Sequence, residues 1–110
     1  MTPKALINDA LRLIRLYWGL SQSQLAETIG VSQSFISDIE ANRKSVSYDL
    51  LQKYSQGLNI RMSQLLFFAE EISGENVKRK GNLLFADRIL ALLEKIRPSV
   101  DDEKEEKESN

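Results

Sequence analysis

Residues 21–40 read Ser-Gln-Ser-Gln-Leu-Ala-Glu-Thr-Ile-Gly-Val-Ser-Gln-Ser-Phe-Ile-Ser-Asp-Ile-Glu. Their caps and apolar positions predict two short helices joined at one glycine. Ser21 and Gln24 form a Ser-x-x-Gln capping box, in which each side chain satisfies a backbone donor that the first helical turn leaves orphaned. Leu25, Ala26 and Ile29 then share the inward face. Gly30 can take the left-handed conformation that ends a helix without a side-chain penalty, and Val31 plugs the turn. Ser32 caps the second helix, whose Ile36 and Ile39 face inward. Gln33, Ser34, Ser37 and Asp38 are left facing out.

The same periodicity extends in both directions. Ile7, Leu11, Ile14 and Trp18 recur at i, i+4, i+7 and i+11, predicting an amphipathic helix from about Lys4 to Trp18 that Gly19 closes. Leu6, Ala10, Leu13 and Tyr17 form a second apolar stripe beside it, more apolar surface than a minimal core needs. Beyond the polar loop Asn42–Ser45, a fourth helix carries Leu51, Tyr54 and Leu58, and a fifth carries Met62, Leu65, Leu66 and Ala69 and ends near Ile72. These residues, 1–73, form one predicted domain. Residues 74–82, with two glycines and Lys78-Arg79-Lys80, read as a linker. Residues 83–97 form a sixth, strongly apolar helix that Pro98 stops. Residues 98–110 are an acidic, aromatic-free tail expected to be disordered. No strand pattern or internal repeat is present, so the expected class is all-α.

Composition narrows the function classes. The 110 residues contain no cysteine and no histidine, which removes disulfides, thiolate and imidazole metal sites and the usual nucleophile and general base. Neither an enzyme, a cofactor, a metal nor a small-molecule ligand is expected. The opening Met-Thr-Pro-Lys lacks a signal-peptide apolar core, and no run approaches the ~20 apolar residues of a membrane span; a cytoplasmic protein without a membrane partner is the expectation. The net charge of −1 is unevenly spread. Residues 1–69 carry seven Lys/Arg against five Asp/Glu, whereas residues 70–110 carry eight against eleven. The basic balance that phosphate binding needs therefore resides in the first part of the chain.

The stretches Gly19-Leu-Ser-Gln-Ser-Gln-Leu-Ala-Glu27, Ile29-Gly-Val-Ser-Gln33 and Ile36-Ser-Asp-Ile-Glu40 closely resemble the Xre-type, lambda-repressor-like helix-turn-helix family of DNA-binding regulators. The likeness covers roughly residues 5–70 and implies a five-helix DNA-binding domain whose second short helix enters the major groove. Matched position by position, it implies that Gln22 holds a backbone phosphate and positions the recognition helix. Ser32, Gln33, Ser34, Ser37 and Asp38 then face the DNA, where Gln33 can pair with adenine and Asp38 can accept from a cytosine amino group. Arg43 and Lys44 would contact phosphates. Arg15 and Glu40 match a buried structural ion pair. Three positions depart from the family pattern: Asp38, where a basic or amide side chain is common; Phe35, which either touches a thymine methyl or shields the helix base; and Arg61, a weak helix start.

These readings imply a sequence-specific transcriptional regulator, a repressor binding a palindromic site on double-stranded DNA as a homodimer. In the sixth helix, Phe85, Ile89, Leu92 and Ile96, widened by Leu93, form an apolar stripe. Its partner is a second copy of the chain, across a dimer seam, or the second stripe of the first helix, or both at once. Two alternatives use the same fold: an antitoxin that binds a toxin and represses its own operon, and a protein-interaction module that never touches DNA.

Overall fold

The computed structural model describes residues 7–73 and 83–97, which form six helices: α1 (Ile7–Tyr17), α2 (Gln22–Ile29), α3 (Gln33–Glu40), α4 (Tyr48–Leu58), α5 (Met62–Ser73) and α6 (Leu83–Ile96). There is no strand among the described residues. Residues 1–6, the expected linker at 74–82 and the expected tail at 98–110 lie outside them.

Local chemistry sets the boundaries. Ser21, Ser32 and Ser47 cap α2, α3 and α4, each accepting a hydrogen bond from the backbone N–H three residues on. The capping box at Ser21 is closed on both sides, with Gln24 N donating to Ser21 Oγ and Ser21 N donating to Gln24 Oε1. Gly30, at φ 78°, ends α2 and returns its N–H to the Ala26 carbonyl. Asn59, at φ 56°, ends α4 in the same left-handed conformation, which asparagine tolerates better than most side chains.

Ala10, Leu11, Ile14, Leu25, Ile36, Ile39, Tyr54 and Phe68 are the centre of a single core to which α1–α5 all contribute. Helix α2 packs on α3 and α4, and α1 packs on α3 and α5. The approach of α4 to α2 is close at Gly57, where a β-carbon would lie 2.7 Å from Ile29 Cγ2. This arrangement holds α2 and α3 as a fixed pair on one side of the molecule.

The sixth helix packs onto its own chain. Leu92, Leu93 and Ile96 are only 4, 4 and 2% exposed within the single chain, and Ile89 packs half-buried against the same core; the side chain of Phe85 lies outside the described residues. Helix α6 runs antiparallel to α5, because Gln64 Nε2 donates to the Lys95 carbonyl at 3.5 Å while Arg88 pairs with Glu71 at 2.9 Å. Its far end meets α1, where the Tyr17 hydroxyl donates to Glu94 Oε2 at 2.8 Å. The physical reason is that α1 and α5 both need a cover, and a segment of the same chain supplies it without the translational and rotational cost of association. Leu66 and Phe67 on α5 and Leu90 on α6, by contrast, remain 44, 42 and 49% exposed.

Candidate nucleic-acid interface

The fixed α2–α3 pair presents the first turn of α3 to solvent. Ser32, Gln33 and Ser34 are exposed, and Ser37 is half-buried on the next turn. Ser32 already has a structural duty, since its Oγ accepts from Phe35 N at 3.1 Å and lies 3.4 Å from Ser34 Oγ. Gln33 is held from behind: its Nε2 donates to Gln22 Oε1 at 3.0 Å, and Gln22 Nε2 donates in turn to Glu40 Oε1 at 3.1 Å.

Glu40 anchors this chain of contacts. It accepts from Arg15 Nε at 2.6 Å and from Arg15 Nη2 at 2.8 Å, a bidentate pair, while Arg15 Nη1 donates to the Leu20 carbonyl at 2.8 Å. The two side chains are 11 and 4% exposed. The hydrogen bond from Arg15 to Glu40 raises the guanidinium pKa further above its already high value, so Arg15 carries its charge at any ordinary pH. One end of this ladder is an ion pair between α1 and α3; the other is an exposed amide at the start of α3. A charged pair desolvated to this degree fixes geometry more than it adds stability, and the geometry it fixes is that of Gln22 and Gln33.

The loop after α3 brings its two cations back onto α3. Arg43 Nε donates to Asp38 Oδ1 at 3.0 Å, and Lys44 Nζ lies 3.7 Å from Asp38 Oδ2. Asp38, expected to face bases, is thus placed against the two cations expected to face phosphates. The Lys44 ammonium also sits 5.1 Å from the centre of the Phe35 ring, within the range of a cation–π contact. Phe35 itself is half-buried against the core, an arrangement that accords with shielding of the helix base. The backbone of the loop is equally constrained: Asn42 adopts φ 62°, and Arg43 N donates to the Asp38 carbonyl at 2.8 Å.

Asn8 is a positioning residue that sequence reasoning does not single out. It is 5% exposed, and its Nδ2 donates to the Ile39 carbonyl at 2.8 Å and the Lys44 carbonyl at 3.0 Å. The end of α3 leaves orphan carbonyls that need donors, and one amide on α1 satisfies Ile39 while clamping the loop. The available signal is an asparagine flanked by Ile7 and Leu11 on a helix whose neighbouring faces are apolar.

Among the described residues no group of three or more Asp, Glu, His or Cys side chains could hold a metal ion, and no helix is long and apolar enough to cross a membrane. The arrangement suits a surface that reads a polar polymer through a few amides and hydroxyls, with exposed cations beside them.

Comparison with known proteins agrees with that geometry. The sequence model of a helix-turn-helix family matches residues 11–65, a span that contains α2, α3 and the Arg15–Glu40 pair. The competence pilus inhibition repressor of Acinetobacter baylyi is 33% identical over 78 residues, which make up 71% of this chain and 66% of that repressor's length. A crystal structure of the clp gene regulator ClgR from Corynebacterium glutamicum superimposes with a TM-score of 0.58 at 29% identity, covering 81% of this chain and 90% of that one. A second ClgR structure gives 0.54 at 32% identity, covering 59% and 84%.

Proposed function

This chain belongs to the helix-turn-helix family, and from that premise we propose that it is a DNA-binding transcriptional repressor that inserts α3 into the major groove of a palindromic operator. The observation that carries the reading is the Arg15–Glu40–Gln22–Gln33 ladder, which joins a buried ion pair to an exposed amide at the α3 N-terminus. A side chain held in one conformation before contact loses less entropy on contact. Gln33 is thereby prepared to offer a donor and an acceptor to adenine, and Gln22 stands beside it for a phosphate. Ser34 and Ser37 take neighbouring base-edge or sugar positions, Ser32 adds a hydroxyl at the helix start, and Arg43 and Lys44 contact the flanking phosphates. That the Acinetobacter baylyi relative is named a repressor supports the negative sense of regulation.

The repressor acts as a homodimer. The helix-turn-helix domain offers few base-reading groups, and residues 1–69 carry only a slight basic excess, so a single copy on one half-site binds weakly; two copies place recognition helices about 34 Å apart on one face of the duplex. Because Leu92, Leu93 and Ile96 are spent within one chain, the second copy uses other apolar surface. Among the described side chains of α5 and α6, Leu66, Phe67 and Leu90 are the large apolar ones that remain exposed.

Two substitutions test the division of roles. Gln33→Ala should cost about 1–3 kcal/mol on the preferred sequence and relax the preference at the position it reads, while Arg43→Ala should weaken binding without relaxing that position and lower the salt slope by about one. Equal losses from both variants across random DNA would refute the reading. Sedimentation of Leu66→Ser and Phe67→Ser variants tests the dimer: dissociation at unchanged fold is expected, and an undisturbed dimer would move the interface elsewhere.

A further inference from the structure

Helix α3 and the loop behind it form a charge cluster of their own. The Asp38 carboxylate touches Arg43 at 3.0 Å and Lys44 at 3.7 Å, and the Asp38 side chain is 30% exposed against 62 and 52% for the cations. The loop backbone is pinned independently, by Asn8 at the Lys44 carbonyl and by the Arg43 N–H to the Asp38 carbonyl. The side chains can therefore change partners while the backbone stays in place. This matters because these are the two cations assigned to phosphate contact, and both are already occupied by a carboxylate on the helix that reads bases.

We propose that Asp38 is a specificity-determining counter-ion, which holds Arg43 and Lys44 in the free protein and gives them up at full gain only where a base can take their place. The inference rests on the DNA-binding reading above. On an arbitrary sequence, moving Arg43 and Lys44 to phosphates leaves the Asp38 carboxylate unpaired beside the negatively charged backbone. On a sequence that presents a cytosine amino group or another base-edge donor at that point, the carboxylate exchanges its cations for that donor. Exposed ion pairs are weak, each worth a factor of up to about 5 in an equilibrium constant, so the exchange is reversible and does not block binding. It lowers affinity for every wrong sequence by more than it lowers affinity for the right one.

The test compares four full-length proteins: wild type, Asp38→Asn, Arg43→Gln/Lys44→Gln, and the triple variant. Each is titrated with random-sequence duplex and with the sequence that the wild type selects from a random pool, across a salt series. Asp38→Asn should tighten random DNA by up to about 5-fold if one pair is freed and up to about 25-fold if both are. It should steepen the slope of log K against log salt by about one, and narrow the ratio between selected and random DNA. In the Arg43→Gln/Lys44→Gln background the gain on random DNA should shrink at least threefold. An equal gain in both backgrounds would overturn the proposal, because the carboxylate would then act by direct repulsion of phosphate.

The Arg43 Nε–H resonance provides a readout without DNA. Asp38→Asn should shift it and speed its exchange with water, and an unmoved resonance would mean the pair is absent in solution. If that pair is present but no protein in the set binds DNA with a salt dependence, the regulator reading fails and the counter-ion role fails with it. Salt-dependent binding without the coupling sinks the counter-ion role alone.

Discussion

Replacing Glu40 by alanine should be among the most damaging single changes in this protein, and for a calculable reason. Glu40 is 4% exposed at its side chain and receives Arg15 Nε at 2.6 Å, Arg15 Nη2 at 2.8 Å and Gln22 Nε2 at 3.1 Å. Its loss strands a guanidinium that is itself only 11% exposed. Breaking a buried pair from one side costs about 3–5 kcal/mol, because the remaining charge is desolvated without compensation. For a domain of this size that corresponds to a fall in Tm of about 12–40 °C, a large part of its total stability. The assay is thermal and chemical denaturation of Glu40→Ala beside the double variant Arg15→Met/Glu40→Leu. The double variant removes both charges and refills the space with apolar atoms, so most of the stability should return. Affinity for the selected DNA should not return, because Gln22 has lost the acceptor that holds it and, through it, Gln33. A Glu40→Ala loss below about 1 kcal/mol would refute the claim that the pair is desolvated, and full DNA affinity in the double variant would refute the ladder.

Three further substitutions probe other parts of the account. Asn8→Ala removes the donor to the Ile39 and Lys44 carbonyls and should cost about 2 kcal/mol by denaturant titration; Asn8→Asp should be worse at pH 7, with the gap closing as acid protonates the new carboxyl and lets it donate. The Tyr54 hydroxyl is buried without a hydrogen-bond partner, so Tyr54→Phe should be neutral or stabilising at pH 7, whereas a loss above about 1 kcal/mol would mean the hydroxyl is hydrogen-bonded in solution. Burial, and secondarily the nearby Glu40, raises the Tyr54 pKa above its ordinary 10.0. The unfolded chain therefore ionises first, stability present below pH 10 declines as pH rises past it, and Tyr54→Phe should flatten that alkaline decline. Leu93→Ala should cost about 2–5 kcal/mol through the cavity it opens while leaving the sedimentation of the folded protein unchanged; a folded variant that sediments with a lower dimer fraction than wild type would return Leu93 to a seam between copies.

Features that rest on near neighbours in the chain are legible in the sequence itself. The capping box at Ser21–Gln24, the serine cap at Ser32 and the left-handed Gly30 each involve residues a turn apart, where the spacing alone states the chemistry. The Arg15–Glu40 contact spans 25 residues and comes instead from the family resemblance. What the pattern leaves open depends on tertiary partners. The stripe on α6 announces that something covers Leu92, Leu93 and Ile96 but does not say whether the cover is the same chain, and the fold places it there. Asn8 escapes sequence reasoning because its value lies in two carbonyls more than thirty residues away. Helical geometry turns Asp38 outward and the family resemblance makes it a base contact, but outward is also where the returning loop brings Arg43 and Lys44. Asn59 ends α4 by a conformation that glycine more often signals, so in the sequence it reads as an ordinary polar residue.

The central claim is that α3 reads DNA sequence as one of two symmetry-related copies. Selection of bound duplexes from a random pool by the full-length protein, repeated with Gln33→Ala, tests it most directly. An enriched palindrome is expected whose half-sites lie one helical turn apart, with the preference relaxed at one position in each half-site by Gln33→Ala. A pool that remains random, or an enriched sequence that Gln33→Ala reads unchanged, would contradict it.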